Sequence, residues 1–390
     1  MVLPFALIIL AISSAAVVAF GTNPDLGRFH HGVDFIMHVR RLQGPLVLAS
    51  VLPCIVLVVL VILNKRRAWW LIGLAPVLAL FAYRFSFSQQ KFFGVAEVTT
   101  DAMLRVDEVS FLRDDDWVVG VVVDGEAYAY PYSALFSTPA VVHTDRDKRW
   151  LIVWSPFANY SSAWIVERIM RGREMEIVSM PANATLVYSR QFGEFVNGIT
   201  GLNQDGEIPP ELKSPLRTYR MTYGQWRQKF PDTHIMPPVG ANAGRLPGAP
   251  VKPLYPMPKD TPPIERPIAL IPTTQPLAIA MNDITTIPAN VSVGSLSLLL
   301  FRDPQTGEIR AFDRRVEEDL SPQFKLNDKP GRHAWLVDSD TNTGWDSRGF
   351  AMDGEMGKAK KRLRSVEIQL DLSWGIMKHW LPELKLLPPR

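Results

Sequence analysis

Three long apolar stretches at the front of the chain, at about 2–20, 45–63 and 68–85, constrain this protein more than any other feature, because nothing comparable follows them. At about 1.5 Å per residue each crosses all or most of a hydrocarbon core about 30 Å thick. The chain is therefore expected to be anchored in a membrane by three helices within residues 1–90. The first stretch lacks the basic leader of a secretory signal peptide, so it is read as a retained span. Trp69 and Trp70 open the third, where an indole suits the boundary between hydrocarbon and water.

The short turn Asn64-Lys65-Arg66-Arg67 joins the second and third stretches. The positive-inside rule places such a turn in the cytoplasm, so the segment 21–44 and everything beyond the third helix fall on the outer side. The expected location is a bacterial inner membrane with the soluble part in the periplasm. Arg28, Arg40 and Arg41 lie in the outer loop under this topology and oppose it, but the tight basic turn is the stronger signal. The loop itself, 28–42, reads as a short amphipathic helix in the interface, with Phe35, Ile36, Val39 and Leu42 toward lipid or protein. His30, Asp34 and His38 recur at helical spacing and are weak candidates for a metal or haem site. Gly32 weakens the helix and no further ligand is evident, so a polar interfacial face is the preferred reading.

Charge is balanced, with 42 basic and 39 acidic residues, so no global field recruits nucleic acid. Cys54 is the single cysteine and lies in an apolar run, which excludes an intrachain disulfide, a redox pair and a thiolate zinc site. There is no Walker loop, nucleophile elbow, HExxH pair or dinucleotide fingerprint. Neither an enzyme nor a resident cofactor is expected. The soluble histidines His143, His234, His333 and His379 are scattered and are read as surface or interface residues. Asp338, Asp340 and Asp346 with Thr341 and Asn342 form a polar turn that suits a hard cation, although an Asx-turn network explains them without one.

Beyond the helices the pattern is β, with short alternating runs and a strong hairpin turn at Asp124-Gly125. Further strands are expected at 150–154, 176–179, 185–189, 296–302 and 366–372. The proline-crowded stretch 237–276 is expected to form neither ladder nor helix, and so to connect a first lobe, 91–236, to a second, 277–390. Leu186 and Leu336, Ala127 and Ala278, and Trp226 and Trp374 recur at a spacing of about 150 residues, which points to a tandem duplication of one β-rich unit. The fold class is thus mainly β (α+β), membrane-anchored, with two tandem lobes.

Several short motifs in these lobes are similar to those of a bacterial extracytoplasmic family, domain of unknown function 3179. They are Ala129-Tyr130-Pro131, Tyr188-Ser189-Arg190-Gln191-Phe192-Gly193, the Gly198 to Gly201 turn, Trp226 followed by Pro231-Asp232-Thr233, and Thr343-Gly344-Trp345-Asp346 with Gly349. The resemblance covers roughly Val119 to Leu387. It leads one to expect two thiols in a Cys-Pro-x-Cys segment where this chain has Ser155-Pro156-Phe157-Ala158, and a histidine where it has Phe230. If relatives use those groups for metal or thiol chemistry, that chemistry is lost here.

The run Lys358, Lys360, Lys361, Arg362 and Arg364 is the one concentrated basic patch, and it suits anionic headgroups or an acidic partner as well as it suits a solvated rim. The expected role is a non-catalytic accessory subunit of a membrane complex, of respiratory or photosynthetic type. Its partners would be other integral membrane subunits and lipid. A membrane-tethered ligand- or metal-handling protein is the alternative.

Overall fold

The computed structural model describes residues 2–64, 68–87, 92–238, 247–272, 276–294, 296–317, 320–328 and 334–387. It divides into two compact units, Met1–Pro262 and Pro263–Arg390. The Lys65-Arg66-Arg67 turn and His333 lie outside the described residues.

In the first unit the apolar stretches form helices Val2–Phe20 and Gln43–Asn64, then a 3-10 turn Ala68–Gly73 running into helix Leu74–Phe87. Three segments, Val2–Phe20, Gln43–Leu63 and Trp69–Phe87, are long and apolar enough to cross a membrane. Small residues allow close approach: Ala11 and Ala15 are buried against Val77, Cys54 and Phe81. Most of the remaining surface is apolar and uncovered, including Phe5, Ile9, Leu48, Ile55, Ile62, Leu78 and Phe85. Water cannot be the solvent of such faces without a large penalty.

The loop between the first two candidate spans forms a helix, Gly32–Arg41, and protein covers part of its apolar face. Ile36 and Met37 are buried among Val178, Leu186 and Phe195 of the neighbouring β structure, while Phe35 and Leu42 stay exposed. Upstream, Asn23 caps the 3-10 turn Pro24–Arg28, accepting a hydrogen bond from the Asp25 amide, and this turn packs on Pro181–Asn183.

Among the described residues this unit also holds three sheets. The first has the order Val95–Thr99, Ala140–Asp145, Lys148–Ser155, Tyr160–Val166, Leu212–Leu216, its first pair parallel and the others antiparallel. The second has the order Thr218–Thr222, Trp117–Val123, Glu126–Pro131, His234–Ile235, Leu104–Arg105. Its central hairpin turns at Asp124 and Gly125, both with positive φ (52° and 87°), the geometry that favours Asp-Gly between twisted strands. The third is the small sheet Glu194–Asn197, Leu186–Ser189, Met175–Ser179 that receives the loop helix.

Among its described residues the second unit also holds three sheets, ordered Gln369–Ser373, Pro267–Ile271, Leu277–Ala280, Lys385–Leu386; Ala289–Val293, Leu296–Arg302, Ile309–Asp313, Arg364–Ser365; and Phe324–Leu326, Leu336–Asp338, Gly344–Trp345. Strand Pro267–Ile271 corrects the expectation that 237–276 forms no ladder, for it pairs on both sides. The reason is positional: Pro267 opens the strand, and Ile268, Ala269, Leu270 and Ile271 that follow are all buried. Residues 248–258 are likewise held by the first unit. The Trp117 amide donates to the Gly248 carbonyl, and the Asn183 side chain bonds Leu254 and Tyr255.

Sheet by sheet, the two units follow one strand order. In each, a central hairpin takes an antiparallel strand on one side, that strand runs into a two-turn helix capped by Thr222 or Ser373, and a short parallel strand closes the other side. Counting from these caps puts Trp374 level with Tyr223, and Met377, not Trp374, level with Trp226. Burial agrees, since Trp226 and Met377 are fully buried whereas Trp374 is half-buried. The Trp226 and Trp374 match in the sequence is one helical turn out of register.

Candidate functional site

Strand Lys148–Ser155 ends in a tight turn where the resemblance leads one to expect two thiols. The amides of Ala158 and Asn159 donate back to the Ser155 and Pro156 carbonyls, and Asn159 takes a positive φ of 50°. Residues 150–160 around this corner are all buried. Ser155 Oγ accepts from the Thr185 amide (3.0 Å), and Thr185 Oγ1 donates to the Trp154 carbonyl (2.9 Å). Tyr132 Oη donates to Asn159 Oδ1 (2.8 Å), and the Arg220 guanidinium reaches the Asn159 carbonyl. Gly198 closes the corner, because a Cβ there would stand 2.7 Å from Val153 and 2.9 Å from Ser155 Oγ. Ala158 adds only a buried methyl.

Phe230 is placed elsewhere. Its ring packs at 4.4 Å on Trp226 and 5.8 Å on Tyr219, at the end of helix Tyr223–Lys229. The Trp226 indole donates to Thr233 Oγ1 (2.9 Å), which in turn donates to the Ala127 carbonyl (3.1 Å), so the Pro231-Asp232-Thr233 motif serves as a lock on the hairpin.

The Ala129-Tyr130-Pro131 motif leads to a buried polar cluster that the sequence did not single out. Trp150 Nε1, which can only donate, reaches Tyr130 Oη (2.9 Å), and Tyr130 Oη lies 2.7 Å from His143 Nδ1. The arrangement that gives every one of these donors an acceptor has the phenol donating to Nδ1, which leaves the Nε2 proton for Thr100 Oγ1 at 3.0 Å. Tyr128, whose ring lies 4.9 Å from His143, donates its hydroxyl to Glu126 Oε2 (3.0 Å) at the surface. His143 lies opposite Trp150 in the strand register and stacks on its indole at 4.2 Å. His143 is fully buried, which corrects its reading as a surface residue. Both faces of strand Ala140–Asp145 are covered at that point. His234 stacks on Tyr128 at 5.2 Å beside this cluster.

Burial holds His143 neutral, with its pKa lowered from 6.5 to about 3; Asp145 pulls it back and His234 adds to the fall. A folded-state pKa below the unfolded one means that the unfolded chain takes up the proton first as pH drops. The contribution of His143 to stability is thus complete above pH 6.5 and is lost progressively toward pH 3. Denaturant midpoints of the full chain in detergent should fall between pH 6.5 and 4, and less steeply for His143→Gln. Equal slopes in the two proteins would show that His143 is not the group responsible.

The weak metal candidates are not assembled into a site. Helix Gly32–Arg41 begins after His30, so His30 shares no helical face with Asp34 and His38. Asp34 Oδ2 pairs with His31 Nδ1 (3.1 Å), and His38 Nδ1 donates to the Asp34 carbonyl (2.7 Å). Among the described residues no group of three His, Cys, Asp or Glu side chains is placed to hold a metal ion. Asp338 accepts from the Asp340 and Thr341 amides, the Thr341 hydroxyl and the Trp345 indole, which is the Asx-turn network. In the basic run Lys358 pairs with Glu355, Lys361 with Glu317 and Arg364 with Asp313, while Arg362 lies over Phe350. Lys358, Lys360, Arg362 and Arg364 remain exposed.

One junction stands out by its electrostatics. Arg40, from the loop between the first two candidate spans, pairs with buried Glu176 on strand Met175–Ser179 and lies 4.9 Å over the Tyr188 ring. Arg190 takes the second carboxylate oxygen at 2.7 Å. Both Tyr188 and Arg190 belong to the second of the motifs read from the sequence.

Fold and geometry define a β-rich chain of two units with three candidate membrane-spanning helices at its N-terminal end. The family model described as "Protein of unknown function (DUF3179)" matches residues 94–380, and the chain belongs to that family. No curated protein and no solved structure matches.

Proposed function

We propose that this chain is a non-catalytic accessory subunit of a larger membrane complex, with respiratory and photosynthetic electron-transfer assemblies as the expected hosts. Three helices anchor it in a bacterial inner membrane, and the β-rich lobes brace the complex on the periplasmic face. The observation that carries this reading is the Arg40–Glu176–Arg190 junction, with Ile36 and Met37 entering the core of the small sheet. A lobe built onto a loop between two spans is held at a fixed place over the bilayer, as bracing requires and as a swinging catalytic or carrier domain does not. The motif residues support it, since Tyr130, Tyr188, Gly198, Trp226 and Thr233 serve packing and buried hydrogen bonds. Pairing with Glu176 also neutralises Arg40, one of the outer-loop charges that opposed the orientation. The matching strand orders support a tandem duplication of one β unit, with Thr222 and Ser373 as equivalent caps.

One experiment tests location and assembly together. In a Cys54→Ala background, Asp260→Cys should react with an impermeant maleimide once the outer membrane is opened, and the labelled protein, solubilised gently, should migrate with a larger assembly. Charge reversal at Lys358, Lys360 and Arg362 should weaken that association in a salt-dependent way. Protection of the introduced thiol until the inner membrane is broken would refute the orientation. Migration as a lone chain would refute the accessory role.

A further inference from the structure

At the junction of helices and lobe, a cavity of about 170 Å³ is lined by residues that include Thr22, Asn23, Asp25, Tyr83, Arg84 and Tyr255. It sits where helices Val2–Phe20 and Trp69–Phe87 both end, beside a run of rings in which Phe20 and Tyr83, and Tyr83 and Phe87, are each 4.9 Å apart. Aromatic side chains at that level mark a headgroup boundary. Arg84 is partly buried there and makes neither an ion pair nor a hydrogen bond among the described residues. Its neighbour Arg40 is close enough to repel it, and Arg40 itself is spent on Glu176. Among the described residues no ion pair offsets the Arg84 guanidinium, and an anion in the cavity relieves the cost of holding it partly out of bulk water.

The lining also carries one carboxylate, Asp25, exposed on the rim. One cation inside and one anion at the mouth match a group bearing both charges. We infer that the cavity binds the headgroup of an aminophospholipid, with the phosphate on Arg84 and the primary ammonium toward Asp25. A purely anionic headgroup would meet Arg84 but also the Asp25 carboxylate. A trimethylated ammonium would bring the charge but no N–H donors. The exposed apolar faces of the helices below supply the surface along which acyl chains run.

This inference rests on the membrane reading, and its test keeps the two apart. The full chain is placed in lipid nanodiscs of phosphatidylcholine doped with either phosphatidylethanolamine or phosphatidylglycerol, and lipids retained after transfer to detergent are counted by native mass spectrometry. Phosphatidylethanolamine should be retained at one per chain. Arg84→Gln should weaken that retention about tenfold or more, as expected for loss of a charge-assisted hydrogen bond. Asp25→Asn should erase the preference over phosphatidylglycerol. Added inorganic phosphate should not displace the lipid. Equal retention by Arg84→Gln, a preference for phosphatidylglycerol in the unaltered chain, or displacement by inorganic phosphate would each overturn the site. Failure of the chain to enter nanodiscs would instead overturn the membrane reading.

Discussion

Trp226→Ala should unfold or severely loosen the first lobe, at a cost of about 3–5 kcal/mol. The indole is fully buried between strand Trp117–Val123 and the rings of Tyr219 and Phe230. Its N–H also holds Thr233, which reaches across to the Ala127 carbonyl. Truncation leaves a cavity and frees that lock together. The complementary change, Gly120→Ala, should be comparably damaging, because a Cβ at Gly120 would stand 2.1 Å from the indole ring. Since one change empties the space that the other overfills, Gly120→Ala with Trp226→Ala should be less destabilising than the sum of the two. Thermal and denaturant unfolding of the full chain in detergent, followed by near-ultraviolet dichroism, decides it. A loss under about 1 kcal/mol for Trp226→Ala would show that the ring is not the keystone the packing makes it.

The second large effect is expected at Glu176. Its side chain is 5% exposed and that of Arg40 is little more accessible, at 13%. Glu176→Ala strands Arg40 without its anion, and removing one partner of a buried pair costs about 3–5 kcal/mol. Arg190 is 56% exposed and loses little. The damage should be local: helix Gly32–Arg41 should detach from the small sheet and exchange its amide hydrogens faster, while the hairpin at Asp124-Gly125 keeps its protection. Replacing the pair by apolar residues of similar size, Arg40→Met with Glu176→Leu, should recover most of the loss. Hydrogen exchange that rises equally throughout the first unit in Glu176→Ala would mean that the pair supports the whole fold and not the junction.

The sequence by itself determined the three candidate spans, the β character of the remainder and the hairpin at Asp124-Gly125. Each of these depends on local pattern: a continuous apolar run, or two residues that accept positive φ between β-prone segments. The family was legible for the same reason, through short motifs whose residues are consecutive. Tertiary structure decided the rest, because the deciding contacts join residues far apart in the chain. His143 reads as an isolated histidine until Thr100, Tyr130 and Trp150 close around it. Pro267–Ile271 reads as connector until strands on both sides take up its backbone. Trp374 matches Trp226 as a letter, yet the helix phase set by the caps puts Met377 in the core instead. The amphipathic pattern of the 28–42 loop specifies a helix, but a pattern shows only that a face must be covered. What covers Ile36 and Met37 is a sheet formed by residues more than a hundred positions later, and burial against protein is physically indistinguishable, in sequence, from burial against lipid.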